Sequence, residues 1–215
     1  TVTKRFNIVA DQVEHDLTLV DVAKIKPLKV VVDPANAMGA IYFEELFKHL
    51  PCQLIKMNWQ LDGDFPSHEA DPFQPENLRQ LGLKVIEVNA DLGIATDGDG
   101  DRLFFVNELG EPIQANITRA ILCKLFLQDK PGSKIAYDIR PGRITPEIIL
   151  ANGGQPIVTK VGHSLIKAKM VEVDAYFGSE SSGHFFLNMA NEGCYEAPMI
   201  ATLKILQELS RSQAN

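Results

Sequence analysis

From residue 28 onward, short apolar runs alternate with longer stretches in which apolar residues recur at helical spacing. The run at 28–33, Leu-Lys-Val-Val-Val-Asp, predicts a strand, the spacing of Ile41, Leu46 and Leu50 a helix, and residues 52–57 a second strand. A Pro- and Asp-rich loop over 61–75 leads to a helix near 76–90, a strand at 92–96, a polar loop at 97–102 and a strand at 103–106, closed by a turn at 108–112. The second half replays this order, with a helix at 117–128, strands at 134–138, 156–160 and 175–178, a helix at 164–171 between the last two, a polar loop at 179–183, a strand at 184–187 and an amphipathic helix at 197–210. The fold class is therefore α/β: two tandem α/β domains with mixed, largely parallel sheets, each with an antiparallel strand after its polar loop. The expected boundaries are a connector at 1–27, one domain at 28–114 and a second at 115–215.

This layout places chemistry before any residue type is weighed, because ligands of open α/β sheets gather at the carboxyl ends of the strands. The two richest polar loops, 97–102 and 179–184, both lie there. With 215 residues the chain can bury a core without disulfides. A net charge of −7 argues against a nucleic-acid partner, and no apolar run is long enough to cross a bilayer, so no membrane partner is expected. Cys52, Cys123 and Cys194 lie far apart without a Cys-x-x-Cys pair, which suggests neither zinc nor a disulfide framework and fits a reducing cytoplasm. The first residues lack the apolar region of a signal peptide, and the chain reads as the middle of something longer.

Asp97-Gly98-Asp99-Gly100-Asp101-Arg102 carries the strongest chemical signal. Three carboxylates at alternate positions, separated by glycines that bend freely, can converge on one hard cation, and crowding them without one is costly. Mg²⁺ is the ion expected for phosphate chemistry. A plain turn needs one Asp-Gly and not three acids in register. A calcium loop of the EF-hand type would place Glu108 at its twelfth position, but it requires glycine where Arg102 stands and helices where strands are predicted.

The run Ala90-Asp91-Leu92-Gly93-Ile94-Ala95-Thr96 with the acidic loop that follows resembles the metal-binding loop of the α-D-phosphohexomutase family, closest to its phosphomannomutase/phosphoglucomutase members. The resemblance implies Asp97, Asp99 and Asp101 as Mg²⁺ ligands, with Arg102 as an electrostatic neighbour of the reacting phosphate. Glu180-Ser181-Ser182-Gly183-His184 resembles the family's hexose-recognition loop, Gly-Glu-x-Ser-Gly-His, with Ser179 where the family has glycine. A carboxylate accepts from sugar hydroxyls and a serine gives or accepts, so Glu180, Ser182 and His184 are implied to bind the sugar. Lys160-Val161-Gly162-His163-Ser164-Leu165-Ile166-Lys167 opens a helix after a strand, a natural anion site, and resembles the family's corresponding loop; it implies Gly162 and Lys167 in substrate binding and His163 in proton transfer or phosphate contact. In Asp138-Ile139-Arg140-Pro141-Gly142-Arg143, Arg140 stands where the family presents a basic residue to the reacting hydroxyls, although a guanidinium is a poor general acid or base; Arg143 reads equally well as surface charge. Ser67-His68 is not the family's nucleophilic serine, since its setting resembles a second-domain loop ahead of the acidic motif.

The whole chain thus resembles the second and third of the family's four domains, metal-binding and sugar-binding respectively. The implied chemistry is interconversion of hexose 1- and 6-phosphates through a phosphoserine and a hexose 1,6-bisphosphate, with the phosphoserine and the last phosphate loop on first and fourth domains that this chain lacks. A non-catalytic sugar-phosphate module and a metal-dependent phosphatase with an aspartate nucleophile remain open on the residues, though neither accounts for all three loops.

Overall fold

The computed structural model describes residues 7–140 and 142–212; whatever was read from 1–6, Pro141 and 213–215 lies outside the described residues. Strand β1 (Lys29–Asp33) runs parallel between β2 (Gln53–Lys56) and β3 (Leu92–Thr96), and β4 (Leu103–Val106) returns antiparallel to β3. In the second sheet β5 (Lys134–Asp138) lies parallel between β6 (Gln155–Thr159) and β7 (Ala175–Ser179), followed by antiparallel β8 (Phe185–Met189) and β9 (Gly193–Glu196). The apolar runs that predicted central strands are those buried on both faces: β3 is buried throughout, whereas edge strand β2 stays half-exposed.

Helix ends follow local chemistry. In α3 (Pro75–Val88) proline occupies the first turn, where its missing N–H costs nothing, and the helix stops at Asn89 in the left-handed conformation, φ 50°. In α6 (His163–Val173) the helix is entered through Gly162 at φ 125°, a value that strongly favours glycine. One face of each sheet is covered by one of these helices: Leu81 and Val85 of α3 pack with Val31 and Val106, and Ile166 and Met170 of α6 with Ala136 and Phe186.

The other faces share a single core. Phe43 and Leu46 of α2 (Gly39–Phe47), Leu122 and Phe126 of α4 (Ala115–Asp129), Ile149 of α5 (Ile144–Ala151) and Leu203 and Leu206 of α7 (Pro198–Ser212) join Val30, Ile94, Ile135 and Phe177 in one apolar cluster. Each such side chain stabilises the fold by about 1.5–3 kcal/mol when fully buried. The stretch read as a connector contributes to this core: α1 (Ile8–Thr18) packs on α2 and α7 and buries Val13. Neither α1 nor β9 was anticipated from the pattern. Strand β9 is only four residues long and incompletely buried, which leaves it without a run or alternation to read.

Candidate functional site at the junction of the two sheets

The carboxyl ends of β3 and β7 meet. Arg102 and His184 form an isolated antiparallel bridge, and the Leu103 N–H donates to the Gly183 carbonyl at 3.0 Å, so the loop of one sheet is stitched to the loop of the other. Gly183 makes this approach possible: at φ 96° a side chain would be strained, and a Cβ would come within 2.6 Å of the Phe104 ring.

In the acidic loop one oxygen each of Asp97, Asp99 and Asp101 lies within 4.8 Å of the others, with Asp97 buried, Asp101 half-buried and Asp99 exposed. Asp97 is fixed by its own loop: Oδ1 accepts from the Gly100 and Arg102 amides, each at 3.2 Å, and Oδ2 accepts from Arg102 Nε at 2.6 Å. Burial pushes the Asp97 carboxyl above its ordinary range against the pull of Arg102. Three oxygen donors of high charge, one of them inside the protein, fit a hard divalent ion such as Mg²⁺. The Arg102 guanidinium is also held by Asp71, Nη1 to Oδ1 at 3.2 Å.

The sugar-type loop is equally ordered. Glu180, 6% exposed, receives Ser182 Oγ at 2.5 Å on Oε2, and receives the Gly162 amide at 2.9 Å and Arg140 Nη2 at 3.1 Å on Oε1. His184 links the two loops, with Nε2 3.2 Å from Asp101 and Nδ1 2.9 Å from Ser182 Oγ. Burial disfavours the imidazolium, but the hydrogen bond to Asp101 and the charges of Asp101, Glu196 and Glu180 together outweigh it and raise the His184 pKa. Burial likewise opposes charge on Asp101, yet hydrogen bonds involving His184 and Glu196 hold that carboxyl below the usual range. Glu196 is pushed up, by burial first and by Asp101 next.

The remaining sequence-predicted residues reach the same place through partners. The exposed His163 stacks on His184 with ring centroids 5.8 Å apart. Lys167 Nζ pairs with Glu196 at 2.9 Å. Gly162 lies beside the sugar-type loop, with its N–H directed to Glu180. Arg140 is half-exposed, its Nε on Asp138 Oδ2 at 2.6 Å; Arg143 is 91% exposed and, among the described residues, pairs with Glu147 of the adjoining helix and not with the site. Among the described residues no hydrogen bond joins Ser67 to this cluster.

Four residues in the arrangement were not picked out as functional from sequence. Asp138 and Arg119, 0% and 1% exposed, form a buried pair at 2.6 Å, and Ser181 Oγ donates to Asp138 at 2.7 Å, so this pair anchors both Arg140 and the sugar-type loop. Glu196 arrives on β9 and Asp71 on the long loop before α3. An acid ending a buried strand was a readable sign for Asp138; Glu196 and Asp71 carried none, because only tertiary pairing brings them near.

Two adjoining α/β layers thus present an acidic Gly-Asp loop and a Glu-Ser-His loop to each other across their junction. Residues 10–110 match "Phosphoglucomutase/phosphomannomutase, alpha/beta/alpha domain II" and residues 114–215 match domain III of the same family. The chain belongs to the phosphoglucomutase/phosphomannomutase family. It is 38% identical to the phosphomannomutase/phosphoglucomutase of Pseudomonas aeruginosa over 193 residues, covering 90% of this chain and 42% of that protein. It is also 38% identical to the phosphomannomutase of Methanocaldococcus jannaschii, covering 86% of this chain and 41% of that one. The crystal structure of a family protein from Burkholderia thailandensis superposes with a TM-score of 0.89 at 33% identity, covering 97% of this chain and 45% of that chain. The chain therefore spans less than half the length of the relatives it matches.

Proposed function

We propose that this chain is the Mg²⁺- and sugar-binding centre of a phosphohexomutase that interconverts hexose 1-phosphate and hexose 6-phosphate through a phosphoserine enzyme and a hexose 1,6-bisphosphate. The observation that carries the reading is the contact between its two loops: His184 reaches Asp101 of the acidic loop and Ser182 and Glu180 of the sugar-type loop at once. A phosphate bound to a hexose has its charged group and its hydroxyls a few ångströms apart, and a site for it needs cation-binding and hydroxyl-binding groups equally close. Relatives named for mannose and glucose phosphates support the substrate class.

Asp97, Asp99 and Asp101 would hold Mg²⁺, which when bound supplies neutralisation of phosphoryl charge. Arg102, held by Asp97 and Asp71, presents its remaining N–H groups to a phosphate oxygen. Glu180 and Ser182 bind sugar hydroxyls, and His184 and the exposed His163 stand where a hydroxyl proton is to be moved. Gly162 sets the shape of the loop by its bond to Glu180, while Lys167 and Arg140 supply positive charge at the rim. The phosphoserine and a second phosphate site would come from flanking domains in the cytoplasmic parent enzyme, and the 215-residue chain alone would turn over little.

Calorimetric titration of the chain with glucose 1,6-bisphosphate and with mannose 1-phosphate, each with and without Mg²⁺, tests this. Saturable, Mg²⁺-strengthened binding that Glu180→Gln weakens is expected. Sugar phosphates that bind no better than inorganic phosphate would overturn the reading, and sustained mutase turnover by the chain alone would overturn the division of labour.

A further inference from the structure

Asp33 ends β1 as Asp138 ends β5, and both carboxylates are buried, 1% and 0% exposed. In the second sheet that acid orients Arg140. In the first it receives three donors: the Ala35 amide on Oδ1 at 3.0 Å, Asn58 Nδ2 at 3.0 Å from both oxygens, and His68 Nε2 on Oδ2 at 3.0 Å. The Ala35 N–H and Asn58 Nδ2 donate to both oxygens, and His68 Nε2 completes the set as a third donor. His68 Nδ1 lies 2.9 Å from the Glu69 carbonyl oxygen, a pure acceptor, so Nδ1 bears a proton. An imidazolium, with both N–H groups in use, satisfies both contacts of this ring, which is 15% exposed.

His68 sits in the loop at 61–74, and three residues further on Asp71 Oδ1 accepts from Arg102 Nη1 at 3.2 Å. On its far side the loop is tied to α3, where Asn77 Nδ2 donates to the Asp71 carbonyl at 2.9 Å. We infer that His68 is a positioning residue: as a cation donating from both ring nitrogens, it fastens this loop to the buried Asp33 and so holds Asp71 against the Arg102 guanidinium. This assigns a role to His68 and rests on the proposed function only in what Arg102 is for. Arg102 is held at Nε by Asp97 and at Nη1 by Asp71, and two fixed points orient a planar group where one does not. The guanidinium is thereby pre-set in one plane, which lowers the ordering cost of binding an oxyanion.

The test is ¹⁵N NMR of the 215-residue chain, so that it reads Arg102 and not turnover. At neutral pH the His68 ring is expected to show both nitrogens protonated. His68→Asn keeps a donor near the Glu69 carbonyl but leaves Asp33 without its cation, whereas His68→Gln keeps a donor toward Asp33. His68→Asn is therefore expected to speed amide exchange at Asp62, Phe65 and Phe73 by about tenfold or more and to shift the Arg102 Nε–H signal, with His68→Gln doing less of both. Asp71→Asn is expected to shift the Arg102 signal while leaving both His68 protons in place. A single protonated nitrogen on His68 in the unaltered chain overturns the inference whether or not any variant folds. So does an unmoved Arg102 signal in His68→Asn, whatever the loop does. Loss of sugar-phosphate binding with these NMR results intact would instead count against the proposed function.

Discussion

Replacing Asp138 with asparagine removes one negative charge from a place with no solvent to compensate. Arg119 is 1% exposed and Asp138 0%, with Nη1 and Oδ1 2.6 Å apart; among the described residues Arg119 also meets Thr145 Oγ1 at 3.0 Å, Ser181 Oγ at 3.5 Å and the Tyr137 ring at 5.9 Å, all uncharged. Asparagine would keep one carbonyl oxygen for two guanidinium groups and would point an NH₂ at the other, donor against donor. Breaking a buried pair by removing one partner costs about 3–5 kcal/mol. That is a large part of the roughly 5–15 kcal/mol that stabilises a typical domain. Arg119→Met is expected to cost less, because Asp138 keeps Arg140 Nε at 2.6 Å and Ser181 Oγ at 2.7 Å. The double substitution should then be more stable than Asp138→Asn alone, by more than about 1 kcal/mol, since it no longer strands a buried cation. Urea unfolding followed by far-ultraviolet circular dichroism measures all three. If the double variant loses the sum of the two single losses, the pair is not coupled and the reasoning is refuted.

Three further outcomes are expected. Asp99 is the exposed member of the acidic triad, so Asp99→Asn should leave urea stability within about 0.5 kcal/mol while weakening Mg²⁺ binding in calorimetry; unchanged affinity would exclude it as a ligand. Gly183→Ala forces a Cβ toward Phe104 at φ 96° and should cost about 1–3 kcal/mol and lower sugar-phosphate affinity together, since it parts the two loops; a neutral effect in thermal unfolding would contradict the packing. The hydrogen bond to Asp33 raises His68 above its ordinary 6.5 despite burial, helped by the Glu69 carbonyl and the charge of Asp33. The stability that His68 contributes is therefore full below that value and lost as pH rises through the raised folded value; urea midpoints across this range should fall, and fall less in His68→Gln.

Much of this molecule is legible in one dimension because its signals are local. A strand buried on both faces must be an apolar run, so β1, β3 and β5 announce themselves, and the acids of Asp97-Gly98-Asp99-Gly100-Asp101 are neighbours in sequence as well as in space. The glycines between those acids were readable as a backbone that must bend freely, and Gly100 takes φ 82°. These features gave the two α/β layers, the antiparallel strand after each polar loop and the residues of both loops.

Only the tertiary structure decided how those parts act on one another. A helix such as α1 packs through Val13 on partners far along the chain, and four residues of β9 become a strand only because β8 offers its edge, which delivers Glu196 to Lys167 and Asp101. Asp33 with His68 is separated by 35 residues and Arg119 with Ser181 by 62, so neither pairing leaves a periodic trace. Sequence sets which groups are present and where the chain can bend; the burial that makes an ion pair costly to break, or a carboxylate harder to ionise, exists only once the two sheets share a core.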